Sequence, residues 1–490
     1  MKDTKAVELL CTLDKNELKE LGKFIASPYF SRGRDVLPLF NELKKFHPDF
    51  DDPALTRENI YNRLFPKKKF GDAGSSNLMK TLTSELFISA KNFLAQKEFD
   101  NDRKRRSLYT LKQLRERKLY KEFEKEYSLT EKDVEDVSET GVDNFLEFYF
   151  NSNEYSAYSI EIGNVQNVFD SLLRGNEFSM IHALMKSYMN PDLRTTTKAF
   201  NISYKENLND ILLENLDSEK MMDEMRKTGN KYLPYVEVFN MVYMMSKYPE
   251  REEYYFTLKS LLDKHIALFI HSQKYILYAM LGSYCAMKSL SENNERFLRE
   301  GFDINARTVE LGIYKYSSKE DFQINSFRNI VLAALDVNEL DWLEDFIEKY
   351  YAELNTEHRD NMRLFSLAHL YSVKKDYEKA LEHLSQVKFN FFLFKMDARY
   401  LQFRIYYEMN YDEQGFSTLS AITQYLTSTK DLSPTFTKRG KMFVKFAREL
   451  LKRKSERNFE DLPLFKRQVT EAKDVNSRSW ILEKIGEMGK

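Results

Sequence analysis

The stretch Leu364 to Val387, LFSLAHLYSVKKDYEKALEHLSQV, decides the fold class. Its apolar positions recur at spacings of three and four, the period of a helix and not of a strand. They fall in two runs, one on each side of Lys374-Lys375-Asp376. Leu367, Ala368 and Tyr371 lie on the first helix, and Ala380, Leu384 and Val387 on the second. The small residues Ala368 and Ala380 let two antiparallel helices approach closely, while Leu367, Tyr371 and Leu384 fill the space between them. Tyr377, in Lys375-Asp376-Tyr377, and Tyr411, in Asn410-Tyr411-Asp412, stand 34 residues apart.

A period of 34 is that of the tetratricopeptide repeat, and Leu364–Val387 resembles that family. Leu367, Ala368 and Tyr371 occupy its Leu, Gly and Tyr positions. Ala380, Leu384 and Val387 occupy its Ala, aromatic and Ala positions. The resemblance extends over about 364–421, where a looser second copy follows the first. In it Leu401, Ile405 and Ala421 fit, Gln402, Gln414 and Thr418 do not, and Phe392 stands where the family has its closing Pro. Leu281-Gly282-Ser283-Tyr284 and the Asp341-Trp342-Leu343 corner look like decayed copies. The resemblance implies a right-handed α-solenoid of antiparallel helix pairs that recognises a peptide or a subunit, without saying which. The N-terminal pattern (SPYF, a helix ending in LFP, a basic loop, a long helix) looks like that of bacterial helical-repeat proteins and implies no activity.

Composition extends the all-α expectation to the whole chain. Only 15 Gly and 10 Pro occur in 490 residues, against 31% charged residues and 18 Met. So few breakers argue against collagen-like, all-β and Gly-loop-rich architectures. Hydrophobic residues at 42% and aromatics at 14% supply a core and exclude bulk disorder. Asp14-Lys15-Asn16-Glu17 is a capping box that opens a helix ending at Ser27-Pro28. Thr56 is expected to cap a helix that Pro66 ends, Ser75 or Ser76 a long one, and one charged helix is expected from about Asp102 to Tyr127. These expectations divide the chain into a helical N-terminal domain (1–127), a solenoid (128–430), and a basic capping helix with a tail (431–490).

The first residues, MKDTKAVELLCTLDKNELKEL, carry charges too often for a signal peptide. No run approaches a membrane-spanning length, so no membrane insertion is expected. Two isolated cysteines, Cys11 and Cys285, fit a reducing cytoplasm. Cys11, in an apolar Leu9-Leu10-Cys11 run, is expected to be a small core residue.

Signals for catalysis are absent. The seven histidines form neither HxxxH nor HExxH, and no Cys pair could hold zinc. No GxxxxGK[ST], GxGxxG or GxSxG occurs. Gly71-Asp72-Ala73-Gly74-Ser75-Ser76 lacks the P-loop Lys and reads as an ordinary loop before a helix. No catalytic residue, cofactor or metal is expected.

Charge is unevenly placed. The chain carries 75 Lys and Arg against 76 Asp and Glu, yet 61–121 holds 16 basic and six acidic residues. Lys67, Lys68, Lys69, Arg103, Lys104, Arg105, Arg106, Arg115, Arg117 and Lys118 are the candidate contacts to an anionic partner there. Near the C-terminus, Lys438, Lys441, Lys445, Arg448 and Lys452 fall in one helical stripe opposite Phe436, Phe443, Phe446, Ala447 and Leu450. Both patches equally suit a solvated face. Clusters such as Tyr254-Tyr255-Phe256 and Tyr406-Tyr407 suit either interhelical packing or a peptide groove. The expected function is therefore a non-catalytic scaffold or adaptor that binds a protein or peptide. Nucleic-acid binding through 63–121 and 438–457 is the alternative.

Overall fold

A computed structural model describes residues 1–30, 33–71, 73–135, 140–189, 208–292, 294–388, 392–429, 432, 434–472 and 475–488. Ser433, the expected start of the basic helix, and Asp72 of the glycine loop lie outside them. The chain is all-helical: 78% of it is helix, with no strand among the described residues. The one β-type contact there is an isolated parallel bridge between Phe322 and Leu354. Two compact units result. Unit 1 comprises 1–132 and 150–172, and unit 2 comprises 133–149 and 173–490.

The first nine helices are α1 (Lys5–Cys11), α2 (Lys15–Ala26), α3 (Leu37–Leu43), α4 (Arg57–Leu64), α5 (Ala73–Asn101), α6 (Arg103–Glu116), α7 (Tyr120–Glu135), α8 (Asn144–Glu161) and α9 (Val165–Tyr188). Then come α10 (Leu208–Asn215), α11 (Ser218–Lys227), α12 (Leu233–Lys247), α13 (Glu252–His265), α14 (His271–Glu292), α15 (Glu295–Glu310), α16 (Ile324–Asp336) and α17 (Leu340–Tyr350). The last seven are α18 (Arg359–Val373), α19 (Tyr377–Gln386), α20 (Phe392–Glu408), α21 (Asp412–Ser428), α22 (Pro434–Ser455), α23 (Leu462–Glu471) and α24 (Arg478–Met488).

Local chemistry fixes the boundaries in unit 1. Asp14 accepts the Asn16 and Glu17 amides while Glu17 accepts the Asp14 amide, closing the capping box. Thr56 accepts the Asn59 amide and starts α4. Leu10, Leu21, Phe40, Leu43 and Ile60 are buried against Leu82 and Leu86 of α5. Three expectations change. Cys11 is exposed: α1 has only seven residues, and its buried positions are Ala6, Val7 and Leu10. The long helix α5 begins at Ala73, so Ser75 sits inside its first turn, where its hydroxyl accepts the Gly71 amide. The charged stretch after Asp102 is two helices. Lys118 takes a left-handed φ of 60°, Leu119 N–H donates to Leu114 C=O (2.9 Å) and Lys118 N–H to Arg115 C=O (2.9 Å). That pair of bonds is a Schellman closure, which ends α6 and turns the chain into α7.

Unit 2 packs helices in neighbouring pairs, among them α12 with α13, α14 with α15, α18 with α19 and α20 with α21, an arrangement compatible with a helical repeat. Three of its turns share one geometry. Asn338, Lys375 and Asn410 have φ of 61°, 62° and 58°. The next residue, Glu339, Asp376 or Tyr411, closes the same six-to-one bond, onto Ala334, Tyr371 and Tyr406 respectively, each at 2.9 Å. That same residue then becomes the N-cap of the following helix. Equivalent positions in the last two turns are therefore Lys375 and Asn410, 35 residues apart. Tyr377 is the first residue of α19, whereas Tyr411 is an N-cap, so the two tyrosines spaced at 34 are not equivalent.

Ala368 and Ala380 are fully buried and Leu384 nearly so, packed with Leu401 and Ile405 of α20. Leu367 is buried in the adjoining cluster, with Tyr371 and Val387 half-buried against it. Glycine permits the closest approach further on. A Cβ on Gly440 of α22 would stand 2.7 Å from Leu426 Cδ1, and one on Gly415 of α21 would stand 2.9 Å from Leu451 Cδ2. No described helix is long and apolar enough to cross a membrane.

Candidate functional site

In unit 1 the sequence of α6 sorts its side chains by face. Ser107 and Leu111 are buried, the latter against Phe123 of α7 and Tyr158 of α8. Arg103, Arg106, Thr110, Gln113 and Arg117 recur at steps of three and four, so they form one stripe beside that buried face. That stripe lines a groove of about 590 Å³, completed by Phe99, Tyr109, Ser107, Leu114 and Glu126.

The ten basic candidates of this unit separate into distinct environments. Arg103 and Arg106 are exposed in the groove and pair with no carboxylate among the described residues. Arg117, also exposed, donates to the side chain of Gln113. Arg105 bonds to Asp102 (3.3 Å) and Lys104 is half-buried. Arg115 is taken up by Glu154 and Glu161, each at 2.9 Å, and Lys118 by Glu161 at 2.8 Å. Hydrogen bonds from Lys118 and Tyr120, together with Arg115, hold the Glu161 carboxyl down at about 2. Lys67, Lys68 and Lys69 are exposed in the loop after α4.

The rings in the groove are a feature that a search for charge overlooks. Phe99 and Tyr109 lie 6.0 Å apart at a tilt of 42°, and Tyr109 is 56% exposed. Their signal was the position of Tyr109 between Arg106 and Thr110.

In unit 2, α22 is amphipathic as its sequence demands. Phe443, Phe446, Ala447 and Leu450 are buried, whereas Lys438, Lys441, Lys445, Arg448 and Lys452 are all exposed. None of the five pairs with a carboxylate among the described residues, and they span about 21 Å of helix at 1.5 Å per residue. No large apolar side chain of α22 is exposed. Beside it, α20 and α21 flank a polar groove of about 540 Å³, with Arg399, Gln402, Tyr406, Gln414, Ser417 and Thr418 in its wall. Arg399 is committed there, donating to Ala421 C=O (2.8 Å) with its guanidinium 5.3 Å from the Tyr425 ring centre.

Unit 2 also holds titratable groups in confined positions. Arg328 of α16 pairs with Asp397 of α20. His369 of α18 is 6% exposed and its Nε2 has no hydrogen-bond partner. Burial, then the charges of Arg404 and Arg328, hold that imidazole well below the usual histidine range. Asp336 meets solvent but is walled in by protein; the lost hydration raises its carboxyl to about 6, against the pull of Arg404. Lys484 of α24, 7% exposed, gathers Glu408 (2.9 Å), Glu487 (3.0 Å) and Glu483 (3.2 Å). Burial opposes its charge, but these carboxylates prevail and raise the ammonium pKa. No group of three or more His, Cys, Asp or Glu among the described residues is arranged to hold a metal ion.

Comparison with protein-family models, with curated proteins and with solved structures finds no match.

Proposed function

We propose that this chain is a non-catalytic interaction scaffold whose second unit, a right-handed superhelix of tetratricopeptide-like pairs in a cytoplasmic protein, docks an acidic protein segment. The observation that carries the reading is the α22 face: five exposed cations in one stripe, unpaired among the described residues. A solubilising surface tends to mix signs, as the i,i+3 and i,i+4 pairs elsewhere in this chain do. The stripe repeats at steps of three and four. A partner helix with Glu or Asp at the same steps matches it charge for charge. Its face offers no exposed ring for a base to stack on and no apolar side chain to enter a bilayer. Arg453 and Glu449 pair with each other at 2.7 Å and leave the stripe unopposed.

The test is anisotropy of a labelled helical peptide carrying Glu at positions 1, 4, 8, 11 and 15, titrated with the full chain at rising salt. Micromolar binding that weakens with salt is expected. Replacing Lys438, Lys441, Lys445, Arg448 and Lys452 by Gln should abolish it. Equal binding by that variant, or none by wild type at low salt, refutes the reading.

A further inference from the structure

We propose that the groove along α6 in unit 1 binds single-stranded nucleic acid, with Arg103, Arg106 and Arg117 on the phosphates and Tyr109 stacked on a base. This site is separate from the α22 face, and either can fail without the other.

The chemistry of the lining distinguishes the two surfaces. The α22 stripe is four lysines and one arginine without rings. The α6 groove is three arginines interleaved with two rings, Phe99 and Tyr109. A guanidinium presents a planar fork that matches phosphate oxygens and also stacks on flat rings, which an ammonium does not. An exposed aromatic ring beside unpaired guanidiniums is the pairing that sequence-tolerant strand binding uses: charge tracks the backbone and rings take the bases. An acidic peptide satisfies the arginines but gives Tyr109 no π-face.

The charge balance favours an anion. Arg103 and Arg106 have no carboxylate partner among the described residues, and Arg117 bonds to the neutral amide side chain and backbone carbonyl of Gln113. The single acid in the wall, Glu126, already accepts the Ser107 hydroxyl. The neighbouring cations Arg115 and Lys118 are held by Glu154 and Glu161. Within the groove, what remains is a single file of arginines.

Shape selects the strand. From Arg103 to Arg117 the stripe runs about 21 Å along the chain at 1.5 Å per residue, yet the groove holds only about 590 Å³. A single file of arginines along one helix admits an extended single strand. A duplex reaches it only as one edge, contacting the arginines and leaving the rings unused.

The experiment titrates the full chain against labelled dT15, U15 and a 15-base-pair duplex, with a polyglutamate peptide as competitor, from low to high salt. Three phosphate contacts at about 0.7 each give an expected slope of log K against log salt near −2 for the single strands. R103Q/R106Q should bring that slope to about −0.7 and weaken binding at least tenfold. Y109A should weaken binding about tenfold with the slope unchanged, because stacking releases no counterions. All three positions are exposed, so the fold is kept, and a matched circular-dichroism melt verifies it. Replacing the five α22 cations by Gln should leave dT15 binding as it was. The proposal is overturned by no single-strand binding at low salt, by duplex binding as tight as dT15, by indifference to Y109A, or by polyglutamate displacing dT15 at equal charge.

Discussion

Replacing His369 with Leu should remove an acid-sensitive element from unit 2. The imidazole is 6% exposed, its ring lies 4.5 Å from that of Phe365, and its Nε2 has no partner. Burial and the charges of Arg404 and Arg328 keep it neutral when folded, far below the ordinary value of 6.5. The unfolded chain protonates it normally. Stability carried by this depressed group is therefore present above pH 6.5 and lost as pH falls through that value. For a site that stays neutral throughout, the loss between pH 7 and pH 5 approaches about 2 kcal/mol. Asp336 acts in the opposite sense. Its carboxyl, raised to about 6, takes up a proton in the folded state first, so its burden on stability eases as pH falls from 7 towards 4. Because Asp336 keeps contact with solvent, its effect is discounted to less than about 1 kcal/mol. Comparing H369L with wild type cancels the Asp336 contribution and isolates His369. Urea unfolding followed by circular dichroism at pH 7 and pH 5 provides the measurement. At pH 7 the variant should be at least as stable as wild type, since an apolar side chain of similar volume removes a buried unpartnered nitrogen. At pH 5 the gap should widen by up to about 2 kcal/mol in favour of the variant. Identical pH dependence in the two proteins would refute the reasoning and place His369 where solvent or a partner accepts its charge.

Two further outcomes follow from buried groups in the same unit. Lys484→Met should cost about 3 kcal/mol in urea unfolding, because it strands Glu408, whose other partner among the described residues is the Trp480 indole N–H at 3.0 Å; a loss under about 0.5 kcal/mol would show the carboxylates to be solvated. Of the two thiols, Cys11 should react with a disulfide reagent in the native protein and Cys285 only on unfolding. Cys285 is buried, its pKa is pushed up to about 11 by that burial, and its Sγ–H donates to Tyr255 Oη at 3.2 Å. Two native-state thiols titrating at equal rates would contradict this.

Helices were legible in the sequence because helix signals are local. The capping box at Asp14, the Thr56 cap and the amphipathic pattern of α22 each depend on residues within a few turns, and each stands where the sequence places it. Errors arose where a competing local rule decided. Charged periodicity runs unbroken through Arg117-Lys118-Leu119, yet the chain closes a Schellman turn there with Lys118 at positive φ, a conformation more often given to Gly or Asn. Cys11 has apolar neighbours, but on a seven-residue helix with buried positions Ala6, Val7 and Leu10 there is no further turn to cover it. Repeat register failed for a similar reason. Matching Tyr377 with Tyr411 assumes that like residues mark like positions, whereas the left-handed residue of each turn, Lys375 or Asn410, sets the phase.

The basic candidates show why charge on α22 can be read from sequence while charge on α6 cannot. On α22 the buried face is apolar, so Lys438, Lys441, Lys445, Arg448 and Lys452 point outward, and Glu449, which stands at helical spacing from Lys445, Lys452 and Arg453, pairs with Arg453. At the end of α6 the fate of Arg115 and Lys118 depends on α8. Arg115 meets Glu154 and Glu161, which lie 39 and 46 residues further along the chain, and no rule of local spacing pairs them. With Arg115 and Lys118 held by α8 and Arg105 by Asp102, the arginines lining the groove are Arg103, Arg106 and Arg117, one face of the helix beside two rings. Net charge along the sequence therefore overstates the reach of the patch and misses its chemistry. The acids of α8 narrow a basic region into an arginine track, and Phe99 and Tyr109 make that track suited to a ligand with flat faces as well as negative charge.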